Sequence, residues 1–157
     1  MKKFDLYKKI EAAKINLKTG NLVEANKIFQ ELLKTNNDSF DLLYEYGLFC
    51  KGLKNYNLSK RVFLHLINKF PSSINSHILL AEILRMENKF KDAERVLQKA
   101  MKADSNNGDL LYNFSLLYFA SKNFDEALTS IDKAIKLSIN NDIYKILKSE
   151  IYINKYN

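Results

Sequence analysis

Two stretches of the chain that lie 34 residues apart follow one pattern: ENKFKDAERVLQKAMKAD (Glu87 to Asp104) and SKNFDEALTSIDKAIKLS (Ser121 to Ser138). Each places an aromatic residue three positions before an alanine, then an aliphatic residue four positions later and a second alanine three after that. This spacing of three and four is typical of one face of an α-helix. The positions are Phe90, Ala93, Leu97 and Ala100 in the first stretch, and Phe124, Ala127, Ile131 and Ala134 in the second.

The pattern continues towards the amino terminus at the same period and without insertions. A separate series of small residues lies one helix upstream of each copy. Small residues let two helix axes approach closely, so the period predicts pairs of antiparallel helices. The earlier copies are Tyr56, Ser59, Phe63, Leu66 and Leu22, Ala25, Phe29, Leu32, and the small series is Ala13, Gly47, Ala81, Ser115 and Ser149.

Turn-forming residues separate the predicted helices. Asn, Ser, Asp and Gly favour helix caps and turns, and the single proline, Pro71, lies where it can end a helix. Within a pair, we expect the helices to break at residues 19–21, 54–55, 88–89 and 122–123; between pairs, we expect breaks at 35–38, 71–73, 105–108 and 140–142.

A 34-residue helix–turn–helix period with this alternation of small and large residues resembles the tetratricopeptide repeat (TPR) family. The resemblance covers nearly the whole chain and implies an all-α fold, a right-handed α-α superhelix (TPR solenoid) in a single domain. The sequence departs from the family pattern because it lacks the early Trp, has Ser59 in place of the usual Ala, and has only one repeat proline. The implied repeats are 6–39, 40–73, 74–107 and 108–141, with a carboxyl-terminal capping helix at about 142–154.

In TPR proteins, first-helix residues that point away from the neighbouring helix line a concave groove. Their arrangement here does not match the family's two-carboxylate clamp for chaperone tails, because Ile10, Glu45, Ile78 and Leu79 stand where that clamp needs Lys, Asn or Arg. The mapped groove positions are Tyr7, Ile10, Glu11, Lys14, Asp41, Tyr44, Glu45, Leu48, Asn75, Ile78, Leu79, Glu82, Asp109, Tyr112, Asn113, Leu116 and Phe119.

The apolar members of this set are flanked by acidic residues, which favours an apolar peptide or an amphipathic helix of a partner protein as the ligand. Tyr112, Asn113, Leu116 and Phe119 have no packing role that the repeat pattern requires. The alternative is that superhelical winding buries several groove residues between repeats.

The carboxyl-terminal helix has an ambiguous register. Strict periodicity places Lys145 and Lys148 at core positions, whereas a shift by one residue places Tyr144, Leu147 and Ile151 there and moves Lys148 to the small-residue position. Ile146 and Ile153 lie on another face. These apolar residues indicate either docking of a second copy or a following domain, or a loosely packed cap.

Composition narrows the function further. The net charge is +7, but lysines are spread along the chain and arginines are few, so we expect no nucleic-acid partner. No segment predicts membrane insertion or a signal peptide, which favours a cytoplasmic protein. Cys50 is alone, and His65 and His77 have no companion ligands at metal-binding spacing, so we expect no cofactor, no metal and no enzyme activity.

The sequence therefore predicts a non-catalytic protein-interaction module or adaptor. Two alternatives stay open: a self-assembling TPR scaffold that associates through its carboxyl-terminal helix, and the accessory TPR region of a larger enzyme such as a transferase.

Overall fold

The computed structural model describes residues 3–156, and this part of the chain contains nine α-helices and no strand. The predicted all-α fold class is confirmed. The helices are α1 (Lys3–Lys18), α2 (Leu22–Asn36), α3 (Phe40–Gly52), α4 (Tyr56–Lys69), α5 (Ile74–Met86), α6 (Phe90–Met101), α7 (Gly108–Ala120), α8 (Phe124–Leu137) and α9 (Asp142–Tyr156).

Helix boundaries follow the 34-residue period. Helices α3, α5, α7 and α9 begin where the repeat pattern places the start of a unit, whereas α1 begins at Lys3, three residues before the predicted Leu6. Each turn within a pair contains one residue with a positive φ angle, and these residues are also 34 apart. They are Gly20, Lys54, Asn88 and Lys122, with φ between 58° and 79°. Only the first is a glycine, the residue that adopts this conformation without steric cost.

The chain divides into two compact units. The first runs to Phe70 and contains α1–α4, and the second begins at Pro71 and contains α5–α9. In the first unit α1 packs with α2 and α3 packs with α4; in the second, α5 packs with α6, α7 packs with α8, and α9 packs on α8. Short connections make each pair antiparallel.

The second-helix pattern forms the core as predicted. The last three positions of every copy are buried, whereas the first position is half-buried in three copies and exposed at Leu22. In the second unit, the residues from α6 and α8 pack with Leu110, Phe114 and Leu117 of α7 or with the buried residues of α9. Removing such side chains from water contributes about 25 cal/mol per Å2 of apolar area. The twelve buried positions are Ala25, Phe29, Leu32, Ser59, Phe63, Leu66, Ala93, Leu97, Ala100, Ala127, Ile131 and Ala134.

The small residues of the first helices lie at close contacts within each pair. A Cβ added to Gly47 would lie 2.8 Å from Cζ of Phe63, so no larger residue fits there without movement. Ser59 Oγ donates a hydrogen bond across this contact to the carbonyl of Gly47 (2.8 Å). In the second unit the roles are exchanged, because the first-helix Ser115 donates to the carbonyl of the second-helix Ala127 (2.9 Å).

Helix α9 resolves the register ambiguity. Tyr144, Leu147 and Ile151 are buried against α8, which confirms the shifted set of core positions. Ser149 is exposed, so its predicted place in the buried small-residue series is wrong. The small-residue position contacts the second helix of its own pair, and no further helix follows α9 within residues 3–156. Lys148 is half-buried and its Nζ lies 2.7 Å from Asp132 of α8.

Candidate functional site

In the first unit, the predicted groove residues are largely occupied by contacts with one another. Lys14 Nζ lies 2.9 Å from Glu11 and 3.1 Å from Glu45, and its hydrogen bonds to these two carboxylates raise the pKa of Lys14. Ile10 is only 3% exposed, so the expectation that its side chain lines an open groove is wrong. An ammonium group held between two carboxylates and a buried isoleucine leave little apolar surface on α1.

The remaining groove residues of the first unit lie on α3. Tyr44 is half-buried, stacks on Phe40 at 5.7 Å between ring centroids, and meets Phe63 edge-on at 6.1 Å. Burial raises the pKa of its hydroxyl. Asp41 is exposed and Leu48 is half-buried.

In the second unit, the predicted residues on α5 and α7 form a partly apolar surface. Ile78, Leu79 and Leu116 are half-buried, which leaves part of each side chain open to a ligand. Helix α7 packs directly against both α5 and α9, so the corresponding faces of these three helices are neighbours. Glu82, Asn113 and Phe119 are also half-buried and Asp109 is exposed.

Tyr112 lies near the centre of this surface. Its ring stacks on Tyr144 of α9 at 5.1 Å, and the Tyr144 hydroxyl donates to Asp109 Oδ1 (2.8 Å). Burial raises the pKa of Tyr112; the charge of Glu150 acts in the same direction and that of Arg85 opposes it. Because such interactions act over short distances, residues of α5, α7 and α9 converge around one phenol ring.

Part of this surface also serves the core. Tyr112, Leu116 and Phe119 pack against the cluster that α8 and α9 form, and Phe119 lies 6.1 Å from Phe124 between ring centroids. The expectation that these residues are spared any packing role is therefore wrong. Their half-burial follows the alternative in which packing of successive helices covers part of the groove face.

Helix α9 extends the surface with residues that the sequence prediction did not include in the site. Ile143, Ile146 and Ile153 are exposed and occupy the positions that follow Asp109, Tyr112 and Phe119 by 34 residues. The same subtraction could have assigned them to the groove from the sequence. We define the α5–α7–α9 face as Ile78, Leu79, Glu82, Asp109, Tyr112, Asn113, Leu116, Phe119, Ile143, Ile146, Glu150 and Ile153.

Charge is segregated around this face. Helix α7 contains one charged residue, Asp109, and no lysine or arginine. Two lysines of α9 pair with aspartates of α8: Lys148 with Asp132 (2.7 Å), and Lys155 with Asp125. Although the chain carries a net charge of +7, these two cations point towards α8, and the face itself contains three carboxylates: Glu82, Asp109 and Glu150.

The candidates for chemistry have structural surroundings. Cys50 is buried, and burial raises the pKa of its thiol, which disfavours the reactive thiolate. His77 is buried and its Nδ1 donates to the carbonyl of Ser73 (2.9 Å), whereas His65 is exposed. Within residues 3–156, no group of three or more His, Cys, Asp or Glu side chains could hold a metal ion. No helix of the described chain is long and apolar enough to cross a membrane.

Comparison with known proteins agrees with the repeat geometry. A family model described as "Tetratricopeptide repeat" matches residues 84–151. The chain is a tetratricopeptide repeat protein. The 34-residue helix spacing extends the repeat beyond the matched segment to the first pair, α1 and α2.

Solved TPR structures share the fold of this TPR chain. A tetratricopeptide repeat protein from Parabacteroides merdae has a TM-score of 0.86 at 13% identity, covering 98% of this chain and 60% of that one. YrrB, a TPR protein described as having an unusual peptide-binding site, has a TM-score of 0.74 at 20% identity, with 88% and 71% covered. These likenesses confirm the all-α TPR solenoid.

A relative with higher identity is the mitochondrial import receptor subunit TOM70 of Saccharomyces cerevisiae. It is 32% identical over 115 residues, which cover 68% of this chain and 18% of the relative. The chain therefore spans about a fifth of the length of that protein. The TPR fold makes the chain a protein–protein interaction module.

Proposed function

We propose that the chain is a non-catalytic adaptor that binds a peptide or an amphipathic helix of a partner protein on its first-helix surface, principally on the α5–α7–α9 face. The observation that carries this proposal is the set of incompletely buried apolar side chains around Tyr112. Contiguous exposed apolar surface marks interaction sites, and tyrosine and other aromatic rings are frequent anchors at such sites.

The relatives support a binding role. One is named as a receptor subunit and another is described by its peptide-binding site, and both descriptions belong to proteins that hold other polypeptides. We keep the cytoplasm as the proposed location of this chain.

A peptide-display selection on the immobilised chain tests the proposal. We expect selected peptides to bind the wild type and to bind a Leu79→Ala, Tyr112→Ala variant at least about tenfold more weakly, because each lost anchor removes more than about 1 kcal/mol. Far-UV circular dichroism should show unchanged helicity. Loss of the Tyr112–Tyr144 stack lowers the free energy of unfolding by about 0.5–1.5 kcal/mol, which a folded domain tolerates.

The matched control carries Val23→Ala and Leu64→Ala, two exposed apolar residues on the second helices α2 and α4. If selected peptides bind both variants as tightly as the wild type, the site lies elsewhere. If the Leu79, Tyr112 variant unfolds, these residues belong to the core and the groove assignment fails.

Self-assembly through the exposed apolar residues of α9 is a second candidate. Ile143, Ile146 and Ile153 are the observation that favours it. Light-scattering mass over a dilution series separates the two functions, because a strict monomer excludes the scaffold.

A further inference from the structure

We propose that the partner segment bound by the α5–α7–α9 face is a cationic amphipathic helix, and that α9 supplies part of its binding site. This inference rests on the proposed function above and specifies the ligand of that same surface. Apolar side chains of the ligand would lie against Leu116, Ile146 and Ile153, while its lysines and arginines would approach Asp109 and Glu150.

The first argument is that α9 exposes aliphatic residues for which its own packing has no use. Ile146 and Ile153 are both 59% exposed, although α9 already buries Tyr144, Leu147 and Ile151 on its other side. A terminal helix of a repeat array ordinarily has a polar outer face. Here the polar residues Lys148 and Lys155 are directed at α8, and the aliphatic residues remain open.

The second argument is continuity. Ile146 and Ile153 stand 34 residues after Tyr112 and Phe119. Because α7 and α9 are in direct contact, and Tyr112 stacks on Tyr144 at 5.1 Å, the apolar side chains of the two helices belong to one surface. A pair of neighbouring helices with such a surface accommodates the apolar ridge of a third helix, read as anchors at i, i+3, i+4 and i+7.

The third argument is charge. No lysine or arginine lies on α7, whereas Asp109 is exposed beside Tyr112 and the charge of Glu150 acts on the same ring. A ligand with basic residues at the edges of its apolar ridge would meet carboxylates on both helices. A ligand with acidic edges would be repelled by them, so the face discriminates by charge as well as by shape.

The test uses the full chain and three synthetic peptides of about 16 residues, enough for about four helical turns. One has a leucine ridge with lysines at its edges, the second replaces those lysines with glutamates, and the third has the composition of the first in a scrambled order. Fluorescence anisotropy measures the affinity at low salt and at higher salt. We expect the lysine peptide to bind at least about tenfold more tightly than either other peptide, with an affinity that falls as salt screens the charges.

Three variants locate the site. Ile146→Ser with Ile153→Ser should weaken the lysine peptide by about tenfold or more. Ile15→Ser with Val23→Ser is the matched control, because Ile15 is also 59% exposed and both residues lie in the first unit; it should bind as the wild type does. Glu150→Lys should weaken the lysine peptide and strengthen the glutamate peptide, with Glu150→Gln in between.

The outcomes distinguish the two proposals. If the glutamate and lysine peptides bind equally and the Ile146, Ile153 variant weakens both, the surface is correct and the cationic ligand is wrong. If neither designed peptide binds but display-selected peptides bind and respond to Leu79→Ala, Tyr112→Ala, the proposed function stands and this inference falls. If no selected peptide binds either, the proposed function itself fails. If the chain is a dimer that only the Ile146, Ile153 variant dissociates, the occupant is a second copy and the cationic ligand is overturned.

Discussion

Helices α7 and α9 occupy the same phase of the repeat, but only α7 is followed by a helix that packs on its second side. Ser115 of α7 is buried and donates to the carbonyl of Ala127 in α8 (2.9 Å), whereas its counterpart Ser149 of α9 is exposed and donates to the carbonyl of Lys145 in its own helix (3.0 Å). Identical residues at identical repeat positions are therefore core in one helix and surface in the other. The difference teaches that a repeat position acquires its role from its neighbours.

The largest expected effect comes from placing a bulky residue at this position in each helix. Ser115→Leu should lower the free energy of unfolding by about 3 kcal/mol, because a larger side chain does not fit the contact with α8 and the bond to Ala127 is lost. Ser149→Leu should change it by less than about 0.5 kcal/mol. Urea denaturation of both variants measures the difference, and equal losses would show that Ser149 is packed in solution.

The same position in the first unit is a stricter test of close approach. Gly47→Ala should cost about 1–3 kcal/mol, because the added Cβ would lie 2.8 Å from the ring of Phe63. Gly52→Ala, at the end of the same helix with no atom within 4 Å of the added Cβ, should leave stability unchanged or raise it by up to about 1 kcal/mol. Opposite signs in urea denaturation are the expected result, and a loss for Gly52 as large as that for Gly47 would contradict it.

A third comparison concerns the first buried position of each helix, which is Leu110 in α7 and Tyr144 in α9. Burial and the hydrogen bond to Asp109 raise the pKa of Tyr144 to about 12, above the value near 10 of an unfolded tyrosine. The unfolded chain therefore loses this proton first as pH rises. The resulting stability is fully present below about pH 10 and is lost as pH rises towards 12.

Tyr144→Phe should cost about 1 kcal/mol at neutral pH, through loss of the bond to Asp109, and should make the alkaline decline of stability less steep. Denaturation midpoints from pH 7 to about pH 11 measure both effects. Tyr46 and Tyr118, with pKa values also raised to about 12, keep part of the decline in the variant. An unchanged slope would mean that Tyr144 is not held neutral by its surroundings.

The smallest expected effect is on the open face of α9. Ile146→Ser with Ile153→Ser should change the free energy of unfolding by less than about 0.5 kcal/mol per residue, because both side chains are largely in water. The measurement is the same urea titration, with Ile151→Ser as the buried counterpart that should unfold at much lower urea. A large loss in the Ile146, Ile153 variant would place these residues in a packed interface.

Much of the fold could be predicted from residue spacing. The period predicted the starts of α3, α5, α7 and α9 and the buried trios exemplified by Ala93, Leu97 and Ala100, because packing between repeats demands the same residue size at the same phase. The candidate site was less predictable. The sequence could place Tyr112 on the groove face, but it could not show that Tyr144 stacks on it or that Ile10 is buried.

The sequence by itself determined the 34-residue helical period, the small residues where helices meet and the family to which the chain belongs, because these follow from local spacing and side-chain size. Only the tertiary structure decided which equivalent positions are covered. Burial depends on whether another helix is present to exclude water, and Ser115 and Ser149 carry the same side chain in different surroundings. For the same reason, Ile146 and Ile153 are available for binding although the repeat pattern assigns them no role.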